Sequence, residues 1–108
     1  MTQVNIVFLF AYGTLMRGEP GWELMKDAVY VATVSKHGLR RVQFMDYPSA
    51  VEGDVTDSVV GEIWAVPVKD LPLLDEYEGE NYRRVLLDDS NLYAYLLKSD
   101  ESEKFAIT

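Results

Sequence analysis

"FAYGTLMRGEPG", residues 10–21, ends an apolar run on a tyrosine and then sets a glycine, a threonine and a leucine ahead of any helix. Residues 4–12, which lead into it, are almost unbroken apolar, β-branched and aromatic. A strand wet on one side would alternate, so this run predicts a strand covered on both faces. A strand carboxyl end followed by Gly-Thr-Leu offers several backbone N–H groups to one concavity, which suits an oxyanion or a carboxylate. The loop is neither a P-loop, since "GTLMRG" lacks the Gly-Lys-Ser/Thr ending, nor a dinucleotide fingerprint, since the second and third glycines are missing. Two readings stay open for its members. Thr14 serves a ligand or is an ordinary turn hydroxyl, and Tyr12 faces a site or is a strand-end aromatic.

Outward from this loop, Gly18, Pro20 and Gly21 punctuate the chain, and "GWELMKDA" (21–28) reads as a short helix with Trp22, Met25 and Ala28 at helical spacing. "YVATVSKH", a turn at Gly38 and "LRRVQFM" suggest a hairpin. "DYPSAVEGD" reads as a loop, with Pro48 forcing Tyr47 toward an extended conformation. "SVVGEIWAV" (58–66) is a second strand, in which Gly61 marks a bulge or a close approach. "PVKDLPLLDEYEG" reads as a helix capped by Asp70, with Pro72 in its first turn and Gly79 at its end. "YRRVLLD" and "LYAYLLKS", joined by a tight "DSN" turn, complete the order β–α–β–β–β–α–β–β. That order fits an α+β domain, a small mixed β-barrel with two short helices, spanning residues 1–108 as one unit.

The second helix holds a carboxylate on an apolar face. Counting from Leu71, positions 74, 75 and 78 line up at 3.6 residues per turn. Leu71 and Leu74 mark the core side, so Glu78, and with it Asp75, points where leucines point. A carboxylate there is costly unless paired, hydrogen-bonded or used. Desolvation and the partial negative charge of the helix C-terminus both favour its protonated form, which suits a general base that later acts as an acid. The structural alternative is an ion pair with Arg83 or Arg84, or a frayed helix end at which Glu78 meets water.

Composition bounds the chemistry. Eighteen acidic against ten basic residues give a net charge of −8, a field that repels phosphate backbones and argues against nucleic acid. The acidic residues are densest at 75–80 and 100–103. With no cysteine, disulfides, thiolate catalysis and zinc–sulfur sites are excluded. His37, the single histidine, has no second ligand near it, so neither a metal nor a cofactor is expected. "VNIVFLFAY" lacks a basic lead and a cleavage site and is too short to span a bilayer, so the protein is expected to be cytoplasmic, with no membrane partner. An acidic surface without an obvious apolar patch favours a monomer or a weak homodimer.

Read together, "YGTLMRGE", "YPSAV", "VVGEIWAV" and "LDEYEGENYRR" make the sequence resemble the γ-glutamylcyclotransferase-like family, which includes the γ-glutamylamine cyclotransferases. The motifs keep the family's order from Val7 to about Val85, and the aromatic "LYAYLL" strand fits its ending. The resemblance implies a small mixed barrel whose Tyr-Gly-Thr-Leu loop (Tyr12, Gly13, Thr14, Leu15) holds substrate through its backbone. It implies that the glutamate of Asp-x-x-Glu-Gly, here Glu78, is the catalytic residue of a cofactor-independent enzyme releasing 5-oxoproline from a small γ-glutamyl amine or peptide. Tyr82 is expected to close the pocket or donate a hydrogen bond, or else to be a packed aromatic. Arg83 is expected to orient Glu78 or pair with Asp75. Arg17 is a carboxylate partner or a solvated loop residue, and Tyr47 and Pro48 shape the rim. The chain departs from the family at Gly21 and Trp22, where Asn-His-like polar residues are common, and in the short stretch between Pro48 and Gly61. The readings that compete with an enzyme are a non-catalytic small-molecule binding protein using the same pocket and a purely structural interaction protein.

Overall fold

The apolar run at the start of the chain forms β1 (Ile6–Ala11), the middle strand of a five-stranded sheet, in a computed structural model that describes residues 5–45, 47–88 and 91–98. The other strands among the described residues are β2 (Val29–His37), β3 (Leu39–Phe44), β4 (Tyr47–Glu52), β5 (Ser58–Pro67), β6 (Tyr82–Asp88) and β7 (Leu92–Leu97); their one α-helix, α1 (Leu71–Glu78), lies between β5 and β6. The strand order of the large sheet is β2-β5-β1-β7-β6, with β1 antiparallel to β5 and parallel to β7. The sheet is therefore mixed.

Both faces of β1 are covered, as its unbroken apolar pattern requires. Successive side chains of a strand point to opposite faces. Leu9 and Ala11 pack into a core shared with Leu71 and Leu74 of α1, whereas Phe10 and the following Tyr12 pack into a second core with Leu39 of β3 and Ala50 of β4. At the C-terminal end of β1 the neighbouring strand comes unusually close. A Cβ at Gly61 would lie 2.6 Å from the Ala11 carbonyl oxygen and 2.8 Å from the Phe10 ring, so Gly61 marks a close approach.

Four sequence expectations change. The barrel does not form: β2 and β6 end the large sheet as separate edges, and β3 and β4 make a two-stranded sheet of their own. The hairpin expected from the β2–β3 sequence is absent. Gly38 does turn the chain at φ +88°, but β2 pairs with β5 and β3 leaves to pair with β4. "DYPSAVEGD" supplies that partner strand instead of a loop. Pro48 sits opposite Gln43 in a two-stranded sheet, where a missing N–H is tolerated because both strands are edges. The first expected helix is only a 3-10 turn over Trp22–Met25, which starts at Gly21 without a side-chain cap.

The second helix lies within its expected span, with a 3-10 turn (Val68–Asp70) leading into it, Pro72 in its first turn and Gly79 beyond its last residue at φ +82°. Asp70 occupies the N-cap position but makes no capping bond; its carboxylate accepts from Lys69 Nζ at 3.1 Å instead. The acidic cluster at 100–103 and most of the "DSN" turn lie outside the described residues.

Candidate active site

The loop after β1 is held from behind by a buried glutamate. Glu62 on β5, 6% exposed, accepts hydrogen bonds from the Arg17 backbone N–H at 2.9 Å and from the Trp64 indole at 3.1 Å. The Arg17 guanidinium approaches the same carboxylate at 3.6 Å and lies over the Tyr30 ring at 4.5 Å. Arg17 thus braces the loop through both its backbone and its side chain. The Tyr12 hydroxyl donates to the Tyr95 backbone carbonyl on β7 and ties down the loop's start. Burial, with the Glu78 carboxylate and Tyr82 nearby, pushes the Tyr12 phenol well above its usual range, so it stays a protonated donor.

Within the loop, the Gly13 carbonyl accepts from the Met16 amide at 3.0 Å and the Thr14 carbonyl from the Gly21 amide at 2.7 Å. The carbonyls are therefore occupied. The amides of Gly13, Thr14 and Leu15 donate to no backbone acceptor among the described residues, and the three residues border a cavity of about 300 Å³. Unengaged N–H groups at a concavity form an anion cradle.

The opposite wall comes from α1. Leu71 and Leu74 enter the core, and the same helix face carries Asp75 and Glu78. The two carboxylates settle differently. Asp75 accepts from the Tyr95 hydroxyl at 2.6 Å and from Arg84 Nη1 at 3.1 Å. Arg83 reaches Glu52 on β4 at 3.7 Å instead of orienting Glu78 or pairing with Asp75. Among the described residues no ion pair reaches Glu78, which lines the same cavity as the loop. Burial pushes its carboxyl up from 4.5 to about 7. At neutral pH such a group is present in both protonation states, the condition for giving and taking a proton in one cycle.

Tyr12, Gly13, Thr14, Leu15, Glu78 and Tyr82 all line this one cavity. Tyr82 does so while its hydroxyl shares a hydrogen bond with the fully buried Ser49 and its ring meets Phe44 edge-on at 6.2 Å. Pro48 reaches the wall, whereas His37 is not among the lining residues; the Tyr47 side chain lies outside the described part of the structure. Sequence reasoning did not single out Glu62, Ser49 and Tyr77. Tyr77, on α1, donates its hydroxyl to Thr14 Oγ1 at 2.9 Å and joins helix to loop across the cavity. Its only sequence signal was membership of the Asp-x-x-Glu-Gly motif. Glu62 had one too, as a lone acid in an otherwise apolar strand.

Among the described residues, no group of three or more His, Cys, Asp or Glu could hold a metal ion, and no helix is long and apolar enough to cross a membrane.

A mixed sheet with one short helix, and a small cavity lined both by the loop after β1 and by an acid from that helix, the one carboxylate in the lining among the described residues, define a small α+β protein with a pocket. The chain belongs to the AIG2-like gamma-glutamyl cyclotransferase family, whose model matches residues 9–107. Membership supports a cyclotransferase-type enzyme. Among solved structures, the fold is similar to that of a uropathogenic E. coli-specific protein (22% identity, TM-score 0.78, 94% of this chain and 86% of that one). It is also similar to an AIG2-like protein from Mus musculus (22% identity, TM-score 0.64, 90% and 82%). A part of the Kluyveromyces lactis allophanate hydrolase is built the same way (14% identity, TM-score 0.73, 90% of this chain but 18% of that one). At these identities the likeness speaks for the fold alone. No curated protein matches the chain.

Proposed function

We propose that the protein releases 5-oxoproline from small γ-glutamyl amides by intramolecular aminolysis, with Glu78 as general base and then general acid. The Glu78 carboxylate takes a proton from the substrate's α-ammonium group. The freed amine attacks the γ-carbonyl carbon, a five-membered ring closes, and the bond from that carbon to the leaving nitrogen breaks. Glu78 returns its proton to the leaving nitrogen, the second proton shed by the ring nitrogen ends on the departing amine, and 5-oxoproline and the ammonium form of the amine depart with the enzyme unchanged. The amides of Gly13, Thr14 and Leu15 hold the substrate carboxylate or the oxyanion formed on the γ-carbonyl.

One observation carries this reading: a desolvated carboxyl with a proton affinity near neutrality shares a cavity with three backbone amides that meet no backbone acceptor among the described residues. The reaction needs no enzyme nucleophile, because its two reacting groups belong to one molecule. Holding them in the reactive fold supplies on the order of 7–11 kcal/mol of such a barrier. The cavity volume suits a ligand of amino-acid size. The test is a panel of γ-glutamyl amides and dipeptides assayed for 5-oxoproline with wild-type protein and with Glu78→Gln. Release by wild type and its loss in the variant support the mechanism. Equal release by both, or release by neither, removes it.

A further inference from the structure

Resting on that reading, we infer that the leaving-group side of the cavity selects a neutral, apolar amine, alkyl or aryl, and rejects amino acids and charged amines. Once Glu78 and the amide loop are assigned to the glutamyl half of the substrate, the wall left for the leaving group is mostly ring and hydrocarbon surface, from Phe44, Met45, Pro48, Tyr77, Tyr82 and Tyr95, with Asn81 as its one uncharged polar side chain among the described residues. The tyrosine hydroxyls on this wall are already engaged, Tyr77 with Thr14, Tyr82 with Ser49 and Tyr95 with Asp75. What they offer a ligand is ring surface. Met45, two-thirds exposed, sits where this wall meets solvent.

Charge decides the rest. Among the described residues no lysine, arginine or histidine lines the cavity; Arg17 is bound at Glu62, Arg83 at Glu52 and Arg84 at Asp75, and Arg41, whose charge is felt at Tyr12, stands outside the lining. A leaving group that carries its own carboxylate would give up hydration without gaining a partner, and would meet Glu78 in a chain of net charge −8. A leaving group with an ammonium would instead pair with Glu78. A cation within a few ångströms holds a carboxyl ionised and lowers its proton affinity, which weakens the base that the cyclisation uses. An uncharged hydrocarbon or aromatic group avoids both costs and covers Phe44, Tyr77 and Tyr82.

Matched pairs test this. γ-Glutamyl-phenethylamide differs from γ-glutamyl-phenylalanine only by a carboxylate, and γ-glutamyl-butylamide from its 4-aminobutyl counterpart only by an ammonium. Binding is measured calorimetrically on Glu78→Gln, and kcat/KM for 5-oxoproline release on wild type. The phenethylamide is expected to lead its carboxylate partner by about tenfold or more in both measurements, and the butylamide to lead the aminobutyl compound in kcat/KM. Met45→Arg, which places a cation at the rim, is expected to narrow the first gap. Equal or reversed preferences with turnover intact overturn the leaving-group assignment and leave the cyclisation standing. The expected binding preference without 5-oxoproline from any compound overturns the cyclisation and leaves the pocket assignment standing. If none of the four binds, both fall.

Discussion

Two glutamates flank the loop after β1, and they differ in what surrounds them. Glu62 on β5 is almost sealed from solvent, yet its oxygens are met by the Arg17 amide, the Arg17 guanidinium and the Trp64 indole. Glu78 at the end of α1 keeps access to the cavity, lacks an ion pair among the described residues and is pushed up to about 7 by burial. Depth of burial thus does not by itself set the two apart. The number of donors around each carboxylate does. Asp75, one helical turn before Glu78, repeats the lesson inside a single helix: with Tyr95 and Arg84 on its oxygens it belongs with Glu62.

The contrast breaks most visibly in catalysis. Glu78→Gln is expected to lower 5-oxoproline release by about 10²–10⁴-fold while the protein stays folded, since one acid–base group contributes about that much. Circular dichroism beside the activity assay checks both halves. Next comes stability against pH. The folded chain holds the Glu78 proton more tightly than the unfolded chain, so this group's contribution is fully present below about pH 4.5 and is lost as pH rises through about 7. Glutamine does not titrate. Thermal unfolding is therefore expected to show Glu78→Gln gaining on wild type between those values and holding its lead above them, by about 3 kcal/mol at most. A wild type that is equally stable relative to the variant at pH 4 and pH 8 would dissolve the distinction between the two glutamates.

Glu62→Ala is the opposite probe. It strands the Trp64 indole and the Arg17 amide and is expected to cost about 2 kcal/mol, a fall of roughly 10 °C in Tm. An unchanged Tm would mean that the loop needs no brace. The smallest effect is expected at Tyr77→Phe, which removes the bond to Thr14 between helix and loop and keeps the ring. Loss of one such exposed bond is about 1 kcal/mol and should be read as a rise of a few-fold in KM with kcat nearly unchanged.

The parts of this site that follow from short-range pattern are legible along the chain. Leu71, Leu74 and Glu78 share a face because helical geometry repeats every 3.6 residues, and β1 had to be covered twice because its apolar run never alternates. Gly61 signals a close approach through its lack of a side chain. The pairing of β3 with β4 is not legible in the same way, since Pro48 and the polar residues around it read as a loop until a partner strand with its own free edge is supplied.

The sequence by itself, then, determined that an acid at position 78 would ride the core side of a helix, behind a strand that runs into an amide-rich loop. Tertiary structure decided which acids would be answered. Arg84 and Tyr95 reach Asp75 across 9 and 20 residues of chain, and the Arg17 amide reaches Glu62 across 45. Periodicity is a property of neighbouring dihedral angles and can be read along the chain. The proton affinity of a carboxyl is set by whatever the fold brings within a few ångströms of it, and residues distant in sequence supply that.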